Sequence, residues 1–336
     1  MRVFYPAFES SYIPPFRIQG KLLNTFLETP KRLKEVLIYM EKYPNKFDII
    51  KVASMGIDNI GKVHSPKLIS FYSQIQRVLS KKEYIEPITF PIRKGQRPQN
   101  IKFQAGYYCF DSRTVIKRDT LKAALNAGAA TMKAALELIK SKDLYTLALV
   151  RPPGHHAGRD FYGGFSFVNN AAIGAAVLEK LGRVGILDLD YFHGNGTQNI
   201  FYQSSRVFTV SIHRTPEVEF PYLWGYASEK GRGSGEGWNL NIPLEGKVSG
   251  STYLKLVEKV LSLFKKRQVK ALVVSLGTNI HKDDLLGDFY LDTDDFKKIG
   301  NLIGNMGLKV LTVLEGGYQP KVLKESLLAY LEGLYA

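Results

Sequence analysis

V-G-I-L-D-L-D-Y-F-H-G-N-G, running from Val184 to Gly196, is the stretch from which the rest of the chain can be organised. Its first half is a short apolar run, too short for a typical helix, and predicts a strand over Val184–Asp188. Its second half turns abruptly to carboxylates, a histidine and glycines. Four other runs begin in the same way: Tyr145–Val150, Val207–Ile212, Ala271–Leu276 and Lys309–Leu314. Between them the pattern predicts helices at Asp119–Ser141, Asn169–Leu181, Ser251–Arg267, Thr293–Asn305 and Pro320–Leu334, with Asp119 and Thr293 as caps. Continuously apolar strands alternating with helices imply an α/β fold, with a mainly parallel sheet covered by helices on both faces.

In such sheets ligands sit beyond the carboxyl ends of the strands. The segments that follow the five strands are R-P-P-G-H-H (Arg151–His156), D-L-D-Y-F-H-G-N-G (Asp188–Gly196), H-R-T-P (His213–Pro216), G-T-N-I-H-K-D-D (Gly277–Asp284) and E-G-G-Y (Glu315–Tyr318). Five of the six histidines fall in these segments, so titratable groups and glycines converge on one edge. Connecting loops alone need no such convergence, and a functional pocket is expected there.

The chain has 336 residues, 45% hydrophobic and 23% charged. This is ordinary globular composition and excludes a disordered chain. No apolar run reaches the ~20 residues of a membrane span, and Met1 to Gln19 lacks the apolar core of a signal peptide. The expected setting is cytoplasmic, with no membrane role. Cys109 is the single cysteine, which excludes an internal disulfide framework and any multi-cysteine zinc site. We expect it to be a buried thiol. One α/β domain is expected over 1–336, with a basic part at 1–118 and the motif-bearing core at 119–336. The net charge is +15; residues 1–150 carry +13 of it and residues 151–336 only +2. That excess reads either as a lysine-rich solvated surface or as a contact for an anionic partner. Pro91–Lys102 reads as an exposed basic loop.

The motifs together resemble the histone deacetylase and acetylpolyamine amidohydrolase superfamily. The match runs through V-H-S-P (Val63–Pro66), R-P-P-G-H-H-A-G (Arg151–Gly158), G-G-F-S-F-V-N-N-A-A (Gly163–Ala172), H-G-N-G-T-Q (His193–Gln198), G-E-G-W-N-L-N-I-P-L (Gly235–Leu244) and E-G-G-Y. The H-G-N-G-T-Q and G-E-G-W-N-L-N forms look more like the prokaryotic, polyamine-deacetylase-like branch than eukaryotic histone deacetylases. The resemblance implies the arginase/deacetylase fold and a zinc hydrolase, in which the metal polarises an amide carbonyl and activates water. By position, His155 and His156 are the general base and acid, oriented by Asp188 and Asn195. Tyr318 is the oxyanion donor. Phe165 and Phe220 wall the acyl-amine tunnel, and Gly316 and Gly317 line it. The family's monovalent-cation site maps to Asp188, Asp190, Phe192, Ser211 and Ile212, where a potassium-like ion is expected.

The family's zinc ligands are Asp, His and Asp. Asp190 matches the first. The D-x-D-x-H-H-G pattern reads D-L-D-Y-F-H-G here, so Phe192 takes the histidine's place. The G-F-D-x-H-K-D-D pattern reads G-T-N-I-H-K-D-D, so Asn279 takes that of the second aspartate. Flanks and lengths are kept, which argues against a slip that brings His193 or Asp283 into position. A catalytic zinc has three protein ligands plus water. A phenyl ring has no lone pair to give, and an amide oxygen is a poor substitute for a carboxylate.

The leading expectation is a zinc-free, ligand-binding or regulatory member of the family. His155, His156 and Tyr318 then persist either to bind an acylated amine or as a structural hydrogen-bonded cluster. One alternative is a weakly active or unusual-metal amidohydrolase acting on acetyl-lysine or acetylpolyamine. The other is a scaffold or nucleic-acid binder using its basic surface, with contacts that are weak and non-specific. A protein partner is compatible with the first and third readings. His64 and His281 are expected in structural hydrogen bonds, and Asp283 and Asp284 as a solvated pair or a cap. His213 is open between structural and ligand-lining roles. Trp224 and Trp238 are open between packing and the pocket rim.

Overall fold

The computed structural model describes residues 1–7, 16–18, 21–23, 27–54, 56–80, 83–87 and 96–336, with the backbone alone at 16–18, 21–23 and 57–59. Of the expected basic loop, residues 91–95 lie outside the described residues. Eight strands build the main sheet: β1 (Arg2–Pro6), β2 (Asp48–Val52), β3 (Tyr145–Ala148), β4 (Val184–Asp188), β5 (Val207–Arg214), β6 (Asn239–Leu244), β7 (Ala271–Leu276) and β8 (Lys309–Leu314). Their spatial order is β6-β5-β4-β7-β8-β3-β1-β2, and every pairing is parallel. The α/β fold with a mainly parallel sheet is as expected.

All five expected strands are present. β1, β2 and β6 were not expected, and the reason is local. Pro243 interrupts the β6 run and Pro6 ends β1, while β2 carries charges at Asp48 and Lys51. β6 and β2 are the two outer strands, where a missing N–H or an exposed charge is tolerated.

Alternate side chains of the buried strands face opposite ways, and each face has its own apolar core. On one face Ile186, Val273 and Leu311 pack beneath the helices Pro66–Val78, Thr120–Lys140 and Asn170–Leu178. On the other, Leu187, Val274 and Val310 pack beneath Lys31–Glu41, Gly250–Lys266, Thr293–Gly304 and Pro320–Leu334. No helix among the described residues is long and apolar enough to cross a membrane.

Two caps differ from expectation. Asp119 occupies the N-cap position of its helix, but its side chain makes no cap hydrogen bond. Thr293 is the first helical residue, not the cap. Asp292 precedes it and accepts from the backbone N–H groups of Asp294 and Asp295, while Asp295 accepts from that of Asp292. This is a reciprocal capping box. We expect Asp292→Ala to cost about 1 kcal/mol in denaturant unfolding and Thr293→Ala less than about 0.5. Equal losses for the two would contradict this cap.

Candidate functional site

The carboxyl ends of β3, β4, β5, β7 and β8 bring the expected segments together. Register pairs Asp188 with Ser211 on β5 and with Ser275 on β7. Behind Asp188 the chain turns, and the next two segments lie over the sheet edge.

His155 Nδ1 lies 3.0 Å from Asp188 Oδ2, and His156 Nδ1 lies 2.8 Å from Asn195 Oδ1. The two imidazoles are 4.0 Å apart between centroids. Asn195 Oδ1 can only accept, so His156 Nδ1 carries the proton and Nε2 keeps its lone pair. Burial pulls His155 down, but the charges of Asp188 and Asp190 outweigh it and hold the imidazole up at about 10. Burial also raises Asp188. The pair shares one proton, and the second carboxylate, 4.0 Å from His155 Nε2, favours the imidazolium. Burial and the neighbouring His155 keep His156 far below its ordinary value, as a neutral ring.

Close approach fixes two glycines here. Gly164 has φ +54°, and a Cβ on it would stand 2.2 Å from His156 Cδ2. A Cβ on Gly194 would stand 2.1 Å from Asp188 Oδ2. Phe220 meets His156 edge to face at 5.0 Å, and Phe165 lies 6.3 Å from Tyr318. Phe110 stacks on Phe220 at 5.4 Å and extends this wall to Trp224 and Phe161. Phe110 was not legible as a wall residue, because it lies in a loop far upstream of the motifs.

The Tyr318 turn is held by residues that sequence reasoning passed over. Asp284 is buried, and its Oδ2 accepts from the N–H of Tyr318 at 2.7 Å and of Gln319 at 3.1 Å. It is therefore neither solvated nor paired with Asp283, whose side chain is 65% exposed. Arg32 lies 4.9 Å over the Tyr318 ring and donates to the carbonyls of Gly317 and Glu315. Glu28 neutralises both Arg32 and Arg151. Glu315 accepts from the N–H of Gly154 and His155, and burial lifts its carboxyl to about 7.

The three positions that correspond to zinc ligands form a different arrangement. Asp190 is fully buried. Its Oδ1 accepts from Asn279 Nδ2 at 2.8 Å and from the Phe192 N–H at 3.0 Å, and its Oδ2 from the Gly316 N–H at 2.8 Å. Asn279 Oδ1 accepts from the Tyr191 N–H at 3.1 Å. This fixes the amide orientation. Turned over, it would set oxygen against the Asp190 carboxylate and NH₂ against an N–H. Cβ atoms on Gly277 or Gly316 would fall within 2.6 Å of this pair, so backbone closes tightly round it. Phe192 turns its ring toward Tyr191, Phe220 and His156. The donors that zinc needs do not fit: one carboxylate faces N–H groups, one amide oxygen is engaged, and the third side chain is a ring. His193 does not substitute, since its ring packs 4.5 Å from that of His213. No group of three or more His, Cys, Asp or Glu among the described residues is arranged to hold a metal ion.

The remaining expectations sort cleanly. His213 is bonded on both sides, to Ser211 Oγ and the Gly225 carbonyl, which makes it structural. His64 bridges the Gly158 carbonyl and the Asn169 N–H. His281 accepts from the Asp283 N–H. Cys109 is buried, with its thiol pushed up by that burial. Ser211 and Ile212 lie beside Asp188, and the Ile212 carbonyl accepts from the Tyr253 hydroxyl at 3.4 Å. Gly317 has φ +118° and abuts Thr278. Trp238 does not reach the pocket; it lies at the opposite edge of the sheet.

Comparison with known proteins agrees with this architecture. The histone deacetylase domain model matches residues 26–334. Acetylpolyamine amidohydrolase 2 of Pseudomonas aeruginosa is 37% identical over 286 residues, covering 83% of each chain. The acetylpolyamine amidohydrolase of Mycoplana ramosa is 36% identical over 307 residues, covering 89% of each. The crystal structure of the acetylpolyamine aminohydrolase from Burkholderia pseudomallei superposes with a TM-score of 0.92 at 30% identity, over 100% of this chain and 99% of that one.

Without metal, the Asn279 N–H is part of what makes the buried Asp190 tolerable. We expect Asn279→Asp, kept free of metal with chelator, to destabilise by about 3 kcal/mol at pH 8, since it sets two buried carboxylates together. The new carboxyl's folded pKa is then raised, so the loss shrinks as the pH falls toward 5 and the pair takes up a proton. A pH-independent loss would show that the pair is not in contact.

Proposed function

The chain belongs to the histone deacetylase family, and from that membership we propose that it binds an acylated amine in the family's pocket without zinc-dependent hydrolysis. The observation that carries this is the Asn279 Nδ2 to Asp190 Oδ1 hydrogen bond, an N–H directed at the oxygen a metal needs. The ligand class comes from the acetylpolyamine amidohydrolases among its relatives and from the retained walls. Phe165, Phe220 and Phe192 surround an apolar stem. His156 Nε2 can accept an amide N–H, and the Tyr318 hydroxyl can donate to the acyl oxygen. Glu219, next to Phe220, and Asp288, bonded to the Tyr191 hydroxyl at 2.9 Å and paired with Arg214 at 3.7 Å, lie near the same loops. A potassium-like ion at the ends of β4 and β5, between Asp188 and Ser211, belongs to this reading and does not depend on the side chain of Phe192.

A second reading is a weak amidohydrolase. It is favoured by the intact His155–Asp188 and His156–Asn195 pairs. Against it, an amide is a poor electrophile. An imidazolium at His155 also has no lone pair with which to activate water.

The test restores both ligand positions together. The wild-type protein should take up no stoichiometric zinc in calorimetry and release no amine from acetylated diamines. Acetylated diamines, and not the free amines, should raise its melting temperature, and Tyr318→Phe should reduce that rise. Phe192→His with Asn279→Asp should bind one zinc and gain measurable hydrolysis. Chelator-resistant zinc in the wild type would overturn the proposal, as would hydrolysis by the wild type that matches the double variant.

A further inference from the structure

The second half of the chain is nearly neutral by count, yet cations gather at the amino edge of its strands, while the carboxyl edge mixes Asp188, Asp190, Glu219 and Asp288 with Arg151, Arg214 and Lys282. Lys270, Arg183 and Arg206 immediately precede Ala271, Val184 and Val207, which are register partners on the adjacent strands β7, β4 and β5. The three cations therefore form a row at the ~4.8 Å strand spacing. Backbone bonds tie the row together: the Lys270 N–H donates to the Arg183 carbonyl, and the Val184 N–H to the Arg206 carbonyl. Beyond β5 the row continues through Lys230 and Arg232. The Lys230 carbonyl accepts from the Gly237 N–H, and the Arg232 N–H donates to the Tyr202 carbonyl.

One part of this face is built. The guanidinium carbons of Arg183 and Arg267 lie 5.3 and 5.1 Å from the centre of the half-buried Trp238 ring. Arg267 also stands 4.1 Å over Phe208 and donates to the Gly237 carbonyl. Arg183 donates to the Arg267 carbonyl at 3.5 Å. Neither guanidinium has a carboxylate partner among the described residues, so two like charges are held on one ring. Burial lowers the pKa of Arg267, and the charge of Arg183 lowers it further. The acids in these segments are Glu179, which is taken up by Arg206 at 3.0 Å, Glu229, whose carboxylate turns away to accept from Gln198, the Gly225 N–H and Asn241, and the exposed Glu236.

We propose that this amino-terminal edge, on the opposite side of the sheet from the pocket, is a docking surface for the phosphate backbone of nucleic acid. Stacking and one backbone bond each pre-order the two guanidiniums, and their remaining N–H groups have the geometry suited to phosphate oxygens. A membrane fits less well, because none of the exposed large apolar side chains belongs to the segments that form this face. Phosphate contacts of this kind carry no sequence preference.

The probe is a labelled random 20-base-pair DNA duplex, titrated with the full chain by fluorescence anisotropy at several salt concentrations. Each phosphate neutralised contributes about −0.9 to the slope of log K against log salt. Arg183→Gln, Lys230→Gln and Lys270→Gln together should weaken binding at least about tenfold and make the slope shallower by about 2 to 3. A variant with the same net charge, Lys31→Gln, Lys34→Gln and Lys67→Gln, at the starts of the helices Lys31–Glu41 and Pro66–Val78, should change affinity less than about twofold, since these helix starts lie toward the carboxyl edge. Lys230→Gln, Arg232→Gln and Lys270→Gln leave the stacked arginine pair intact and should repeat the first result if the fold is unchanged. Equal weakening by the edge and control variants would overturn the proposal. So would no duplex binding at about 50 mM salt, or edge-dependent binding to phosphatidylserine vesicles without binding to DNA.

Discussion

A carboxylate with no solvent exposure, Asp190, sets the terms for everything around it. An ion taken out of water costs several kcal/mol unless its charge is compensated and its lone pairs are filled. Here Asn279, Phe192 and Gly316 supply three N–H groups, and the imidazole of His155 stands 4.0 Å away. Tyr191 fixes Asn279 from its other side. Gly277 and Gly316 stay bare because any side chain would strike this pair. The charge of Asp190 is thus met by hydrogen bonds from N–H groups, and the proposed absence of zinc-dependent hydrolysis rests on that donor set.

The parallel sheet distributes the consequences. β4, β7 and β8 end in carboxylates or glycines at one edge, and β4, β5 and β7 begin behind a lysine or arginine at the other. The pocket residues come from five strand ends, so no single segment makes the site. Arg32 reaches it from an early helix, with Glu28 beside it, to support the Tyr318 turn.

Most of the core could be read from residues alone, and the His155–Asp188 and His156–Asn195 pairs from the family resemblance. The strands around Val184–Asp188 are fully buried, and apolar runs between glycine-rich turns announce that. Phe192 and Asn279 were legible as substitutions, because their flanks keep their length. The hydrogen bond between Asn279 and Asp190 was not, since it joins residues on different strands. Asp284 reads as a surface acid beside Asp283, and only the fold turns its side chain inward to hold Tyr318. β6 was hidden by Pro243, which an edge strand tolerates. Trp238 lies inside a motif of the pocket family but starts a strand, so it belongs to the far edge. The basic excess in the first 150 residues pointed away from the cationic row, which the register of β4, β5 and β7 assembles from the nearly neutral half.

Anomalous diffraction above the zinc edge, from crystals grown with excess zinc, tests the central claim most directly. We expect no anomalous peak beside Asp190, and electron density for the Asn279 amide about 2.8 Å from the carboxylate oxygen. A peak at about 2.0–2.2 Å from Asp190, with Asn279 turned to present its oxygen, would contradict it.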